Sequence, residues 1–254
     1  MKYIDLNCDM GELPEALADG SQEQLMRHIS SVTIACGGHA GDPQMMRATI
    51  EQALHGVAIG AHPGYEDRAN FGRLELQLSK KEISSSVYRQ ILALDEIALQ
   101  CGATIGHVKA HGALYNQATR NREIARAIAE GVRRWKTDVV LVGLAGSVML
   151  EEFRTAGFRV AAEGFADRRY EKDGSLRPRN LADSLLHDPS EAAAQALRIA
   201  AQGTVLAAGG STVPLLAQTI CIHGDTPGAA EIAAAVRRLL TESGIAIRSL
   251  DKTS

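Results

Sequence analysis

Several nucleotide-binding and nucleophile motifs are absent from this chain of 254 residues. No glycine is followed by lysine, so the P-loop pattern G-x-x-x-x-G-K-[ST] cannot occur, and no two glycines have the G-x-G spacing of a dinucleotide-binding fingerprint. The G-x-S-x-G nucleophile elbow is also missing. If ATP takes part in the reaction of this protein, another chain is therefore expected to bind and spend it.

Cysteine, excess charge and long apolar runs are also scarce. The four cysteines form no C-x-x-C pair, which disfavours a structural zinc site and a redox dithiol. The net charge of -3 and the lack of a Lys/Arg run disfavour nucleic acid as a partner. No apolar stretch approaches the roughly 20 residues of a membrane helix, and the N-terminus has no signal-peptide pattern. We expect a cytoplasmic protein that does not bind a membrane.

Apolar, strand-like runs alternate with helical patterns along the whole chain, which is typical of βα units that form a parallel sheet. Strands are predicted near residues 3–8, 32–36, 58–61, 104–109, 139–143, 159–163 and 219–223. Helices are predicted at 43–55, 80–100, 122–135, 190–202 and 229–243. The length suits one α/β barrel, so we expect a single domain over residues 1–254.

Polar side chains cluster with glycine where the predicted strands end. Three pairs have the spacing of two that places side chains on one face of a strand: Asn7/Asp9, Lys109/His111 and His223/Asp225. Glu12, His39, His62 and Glu163 also lie at strand ends. Because the carboxyl ends of barrel strands meet at one rim, these residues predict an active site with acid–base chemistry.

Each of these residues also has a structural interpretation. Asp9 and Glu12 could cap the first helix, or Asp5 and Asp9 could form a turn. Glu163 could pair with Arg168 or Arg169 in the long polar loop that follows it. The Asp and His residues could instead hold one divalent ion that activates water, although the sequence predicts no resident metal ligand set.

Seven motifs together resemble the LamB/YcsF family, in the family's order and across nearly the whole chain. They are the segments 6–12 (LNCDMGE), 35–43 (ACGGHAGDP), 60–65 (GAHPGY), 70–73 (NFGR), 108–116 (VKAHGALYN), 163–170 (EGFADRRY) and 221–228 (CIHGDTPG). The resemblance implies a distorted seven-stranded β/α barrel, TIM-like and similar to polysaccharide deacetylases.

The resemblance also implies an activity. Members of the family act as the A component of an ATP-dependent 5-oxoprolinase, which opens the lactam of 5-oxo-L-proline to L-glutamate together with the B and C subunits. ATP is then a co-substrate of the complex, and the requirement for a divalent metal stays open. On this hypothesis Asp9 or His62 activates water, Lys109 stabilises the developing negative charge, and His111 protonates the ring nitrogen.

The remaining candidate residues would bind the substrate. Arg168 or Arg169 is a candidate for its carboxylate, since a guanidinium can bind a carboxylate through two hydrogen bonds. The other substrate-binding candidates are Asn7, Glu12, His39, Glu163, His223 and Asp225. Two alternative functions are a metal-dependent amidohydrolase or deacetylase that acts alone, and a subunit that binds ligand without catalysing a reaction.

Overall fold

The computed structural model describes residues 2–250. Its strands are β1 Tyr3–Met10, β2 Ser31–Ala35, β3 Ala58–His62, β4 Ile105–Lys109, β5 Val140–Leu144, β6 Arg159–Phe165, β7 Thr204–Leu206, β8 Thr212–Pro214, β9 Thr219–Cys221 and β10 Ala246–Ile247. Its α-helices are α1 Pro14–Ala18, α2 Ser21–Met26, α3 Pro43–Ala53, α4 Lys80–Gln100, α5 Gly112–Ala118, α6 Arg122–Trp135, α7 Val148–Thr155, α8 Pro189–Gln202 and α9 Ala229–Glu242. None of the helices within 2–250 is both long and apolar enough to cross a membrane.

Seven parallel strands close into a barrel. Strands β1 to β6 are neighbours in chain order, β9 follows β6, and β9 pairs with β1 to complete the ring. These are the seven strands that the sequence predicts, so the predicted barrel is confirmed. The short strand β10 pairs with Tyr3 and Ile4 at the start of β1, and β7 and β8 form a separate antiparallel hairpin. The sequence analysis missed these three strands because each has only two or three residues.

Two predicted helix starts, those of α3 and α4, are confirmed by their capping hydrogen bonds. The Asp42 side chain accepts hydrogen bonds from the backbone N–H groups of Gln44 and Met45 at the start of α3. Ser79 and Glu82 form a capping box at the start of α4. Outside the barrel, α4 packs on α6 and α8 packs on α9.

The side chains of strand β1 alternate between the apolar core and the polar interior of the barrel. Ile4, Leu6 and Cys8 belong to the main apolar core. The alternate residues Asp5, Asn7 and Asp9 are also buried, but they hydrogen-bond with polar groups of other strands. Alternation along β1 therefore sends apolar side chains to one face and polar side chains to the barrel interior.

Three loops follow the carboxyl ends of barrel strands and surround the mouth of the barrel. Loop 63–79 follows β3 and contains a short 3₁₀ turn at Arg68–Asn70. Loop 166–188 follows β6, and loop 222–228 follows β9. Residues of all three loops line the cavity described next.

Candidate active site

A cavity of about 870 Å³ opens at the carboxyl ends of the strands. Its lining includes Asp9 from β1, Lys109 from β4 and Glu163 from β6. It also includes His111, which is the N-cap residue of α5, and His223 from the loop after β9. The barrel rim thus brings together most of the side chains that the sequence predicts, and its volume falls in the range of small-molecule sites.

Lys109 lies at the floor of this cavity and is only 2% exposed. Its Nζ is 2.6 Å from Asp9 Oδ1, 3.0 Å from Glu163 Oε1 and 2.8 Å from Asn7 Oδ1. Strand β4 is adjacent to neither β1 nor β6, so these contacts cross the barrel interior. An ammonium group has three protons, and these three oxygens occupy all of them. Lys109 therefore acts first as the counter-charge that holds two buried carboxylates.

Further polar residues hold the side chains of Asp9 and Glu163 in position. Thr33 donates a hydrogen bond to Asp9 Oδ1. The Tyr115 hydroxyl donates to Glu163 Oε2 at 2.8 Å. Asn7 Nδ2 donates to Thr219 Oγ1 at 2.7 Å and to Glu163 Oε1 at 3.1 Å. Because these groups satisfy one another's hydrogen bonds, the buried side chains are held in fixed positions.

Three histidines form a cluster beside the floor. The rings of His39 and His111 stack with centroids 3.6 Å apart, and the His62 ring stands at right angles to both. Gly64 and Gly72 allow this packing, because a Cβ at Gly64 would lie 2.8 Å from His39 Nδ1 and a Cβ at Gly72 would lie 2.7 Å from His39 Cβ. Any side chain at either glycine would displace the cluster.

The hydrogen bonds of His62 and His111 require a shared proton or another cation. His62 Nδ1 donates to the Lys109 carbonyl at 2.7 Å, and His111 Nε2 donates to the Phe71 carbonyl at 2.9 Å. The remaining nitrogens, His62 Nε2 and His111 Nδ1, are 3.0 Å apart. If both rings were neutral, two lone pairs would face each other. One proton between these nitrogens resolves the conflict.

The pKa directions place this proton on His62. Burial lowers the pKa of His62, but the Asp9 carboxylate, 3.3 Å from Nε2, outweighs burial and raises it above its ordinary value. Burial lowers the pKa of His111, despite Glu12 Oε1 at 3.2 Å from its Nδ1. Burial also opposes ionisation of Asp9, yet His62 and Lys109 hold its pKa well below the usual range.

Glu12 completes the cluster and makes it suitable for a divalent cation as well. Glu12 Oε1 is 2.8 Å from His39 Nε2, and together with one nitrogen from each of His62 and His111 these ligand atoms lie within 4.8 Å of one another. Two of the histidines donate their other N–H to backbone carbonyls, which is the usual support of metal-bound histidine. These four residues fit a Zn²⁺-like ion, although the sequence analysis listed no metal ligands.

His223 and Asp225 lie higher in the cavity. His223 Nδ1 is 2.9 Å from Asp167 Oδ1, and Asp167 also accepts a hydrogen bond from Thr226. Asp225 forms an ion pair with Arg73 and another with Arg179, whose Nη1 is 3.4 Å from Oδ2.

The two adjacent arginines have different environments. Arg168 is 5% exposed and lines the cavity, whereas Arg169 pairs with Glu191 at 3.6 Å and is not among the lining residues. The salt bridge to one of them that was considered as the structural alternative for Glu163 does not form, since Glu163 contacts Lys109 and Tyr115 instead. Of the two proposed carboxylate binders, only Arg168 can face a ligand in this cavity.

Sequence reasoning missed several residues that support the site. Tyr115, Asp167, Arg73 and Arg179 received no role, although the first three stand inside the motifs that carry the family resemblance. Asp167 lies four residues after Glu163, a spacing that continues the same face of β6 beyond its end. That periodicity was the available signal for Asp167, and loop residue Arg179 had none.

The parallel barrel, with acids, imidazoles and an ammonium at its strand ends, defines the class of β/α-barrel proteins built for acid–base chemistry. Within that class the chain belongs to the LamB/YcsF family, whose model matches residues 4–254. The resemblance inferred from the motifs is thereby confirmed.

Similar proteins cover nearly the whole chain. The 5-oxoprolinase A component of Chloroflexus aggregans is 49% identical over 250 residues, which cover 98% of this chain and 99% of that protein. The 5-oxoprolinase A component of Bordetella parapertussis is 47% identical over 247 residues, 97% of this chain and 98% of that protein. The structure of a lactam utilization protein from Thermus thermophilus matches with a TM-score of 0.90 and 43% identity, covering 98% of this chain and all of that one.

A more distant likeness concerns the fold alone. A family 4 carbohydrate esterase from Streptomyces lividans superposes with a TM-score of 0.52 at 12% identity, covering 97% of this chain and 91% of that one. This likeness agrees with the expected similarity to polysaccharide deacetylases. At this identity it carries no information about substrate.

Proposed function

We propose that this chain is the A component of an ATP-dependent 5-oxoprolinase, which opens 5-oxo-L-proline to L-glutamate together with the B and C subunits as partners. The observation that carries the proposal is the 3.0 Å contact between His62 and His111 beside Asp9, because it offers an acid and a base at one place, and amide hydrolysis needs both. Relatives that are 47–49% identical over their full length, and that have the name of this component, support the choice of substrate.

The chemistry explains why partners are needed. A lactam carbonyl is a poor electrophile, so ATP would activate the amide oxygen by phosphorylation on the partner subunits. This division of work agrees with the absence of a P-loop here. Water then adds to the amide carbon, the carbon–nitrogen bond breaks, and the nitrogen gains a proton and becomes the amino group of a glutamyl phosphate. A second water molecule cleaves this mixed anhydride to glutamate and inorganic phosphate.

Several side chains that line the cavity have a role in this step. Asp9 accepts the proton of the attacking water, a role that suits it better than His62 because His62 already holds a proton. The His62–His111 pair supplies the proton to the ring nitrogen. Lys109 keeps Asp9 ionised and adds positive charge near the developing oxyanion. Arg168 offers its guanidinium to an anionic group of the substrate.

Glutamate release from 5-oxo-L-proline tests the proposal. The assay compares this chain alone, purified candidates for the B and C subunits alone, and the mixture, each with and without ATP. We expect glutamate only in the mixture that contains ATP. Release without ATP, or no release from a mixture whose partners hydrolyse ATP, would contradict the proposal.

A second candidate function is supported by the fit of Glu12, His39, His62 and His111 to a divalent cation. A bound ion would activate a water molecule for hydrolysis of an amide or ester, and the chain could then work without ATP or partners. In that case the same histidines would serve as ligands, and a proton between them would be displaced.

Metal analysis separates the two candidates. For the second function we expect a stoichiometric ion in the purified chain, and a Glu12→Gln variant that binds added Zn²⁺ more than about tenfold more weakly. Exposed Glu15 in α1 provides the control, since Glu15→Gln leaves the cluster intact. Equal Zn²⁺ binding by the wild type and both variants would remove this candidate.

A further inference from the structure

Three guanidinium groups and the Asp225 carboxylate lie together at the mouth of the cavity. Arg73 comes from loop 63–79, Arg168 and Arg179 come from loop 166–188, and Asp225 comes from the loop after β9. Arg73 and Arg179 both form ion pairs with Asp225 Oδ2. One carboxylate oxygen thus joins the three loops, and positive charge is in excess there.

Arg168 makes this excess pronounced because it is buried and forms no ion pair with a carboxylate of the described residues. Its Nη2 donates to the Arg177 carbonyl at 2.6 Å, and its Nε has no hydrogen-bond partner within residues 2–250. Burial, together with the nearby charge of Arg179, lowers the pKa of Arg168 to about 10. A buried arginine that lacks a full set of acceptors is costly unless a ligand supplies them.

The neighbouring acids form their contacts with other side chains, although the Asp167 charge also acts on Arg168. The Asp167 carboxylate is hydrogen-bonded with His223 and Thr226. Glu171 pairs with Arg177, another arginine of the same loop. Asp225 therefore remains the carboxylate shared by the cluster, and an incoming anion would have to compete with it for Arg73 and Arg179.

We infer that Arg73, Arg168 and Arg179 form a subsite for the phosphoryl group of an activated substrate made on the partner subunits. The inference rests on the proposed function for the source of that group. A carboxylate is matched by one guanidinium, whereas a phosphoryl dianion with three free oxygens matches several. The subsite belongs to the same cavity as Asp9 and Lys109, and that cavity exceeds what a five-membered ring alone would fill.

Asp225 then serves as the internal occupant of the subsite when no ligand is bound. Displacing its carboxylate frees two guanidinium groups for the ligand and releases the link between the loops. Removal of an arginine and removal of Asp225 should therefore change phosphate affinity in opposite directions. Structural damage alone would weaken binding in both cases.

Calorimetric titration of the full chain with inorganic phosphate, at low ionic strength and without partners or ATP, tests the subsite. We expect Arg73→Met and Arg179→Met each to weaken phosphate binding about tenfold. We expect Asp225→Asn to strengthen it about fivefold, because one repulsive charge is removed. The control is Arg238→Met, an exposed arginine of α9 that does not line the cavity. Its phosphate affinity should equal that of the wild type.

Titration of the same variants with 5-oxo-L-proline separates phosphoryl from carboxylate recognition. Phosphate binding that is equal in all variants would overturn the inference. So would weaker binding of 5-oxo-L-proline by the arginine variants with unchanged phosphate binding. Since this test uses no turnover, phosphate results as expected together with no glutamate release would contradict only the proposed function.

Discussion

Replacement of Lys109 by methionine is expected to reduce glutamate release by the complex about 10³-fold and to lower the free energy of unfolding of this chain by about 3–5 kcal/mol. Methionine keeps most of the length of the side chain but removes the ammonium group and its charge. Asp9 and Glu163 would then be left as buried carboxylates without their counter-ion, 2.6 Å and 3.0 Å from the lost ammonium. Urea denaturation of the chain measures the stability, and the ATP-dependent assay measures the activity.

A double variant distinguishes loss of charge balance from loss of chemistry. Lys109→Met with Glu163→Gln removes one of the stranded carboxylates, so we expect it to recover about half of the lost stability while activity stays lost. Exposed Lys81 of α4 provides the control, and Lys81→Met should match the wild type in both assays. A Lys109→Met chain with normal turnover would refute the site assignment.

The sequence predicts the barrel well because its strands are apolar runs of regular spacing and its helices begin at recognisable caps. Asp42 and Ser79 have their predicted capping roles because an N-cap depends only on residues a few positions away. Strand-end placement also brings Asp9, His62, Lys109 and other predicted residues to one cavity. These predictions use local periodicity and the geometry shared by all parallel barrels.

Contacts across the barrel depend on closure and register, which the sequence does not reveal. Thr33 reaches Asp9 because the register of β1 against β2 places these residues opposite each other. Tyr115 reaches Glu163 because α5 begins directly after His111 and turns back over the rim. The different environments of Arg168 and Arg169 arise in an irregular loop, where no periodicity assigns a direction to a side chain.

The charges at the cavity floor and in the neighbouring histidine cluster stabilise one another. Lys109 and protonated His62 both stabilise the Asp9 carboxylate, and Asp9 in turn keeps the proton on His62. A base and an acid can thus coexist in one buried site near neutral pH, since neither form is stable without the other. Neutralising one member should therefore change the titration of its neighbour.

His62→Gln and His111→Gln are each expected to lower kcat in the complex about 10²- to 10⁴-fold, the usual contribution of general acid–base catalysis. Either change removes one of the two nitrogens that hold the proton, which are 3.0 Å apart. His55 is exposed just after the end of α3, and His55→Gln should leave kcat unchanged. Steady-state rates at saturating 5-oxo-L-proline and ATP measure the effect.

The pH dependence follows from the direction of the His62 shift. Its pKa in the folded chain is raised above the ordinary value, so the acid form persists to higher pH than in a free histidine. Activity that needs this acid should fall as pH rises through the raised pKa. The stabilisation from the His62–Asp9 contact has the same sign, because it is fully present below the unfolded-state pKa and is lost as pH rises through the folded-state pKa.

Asp9→Asn reverses this shift. Without the carboxylate, burial and the Lys109 charge remain, so His62 should lose its proton at a lower pH than in the wild type. An NMR titration of the histidine ring signals in the isolated chain measures this directly, without partners or ATP. A wild-type His62 signal that titrates with a pKa below the ordinary value of histidine would contradict a proton held between His62 and His111. A signal that does not titrate, and that changes on chelation, would instead support a cation held by the same cluster.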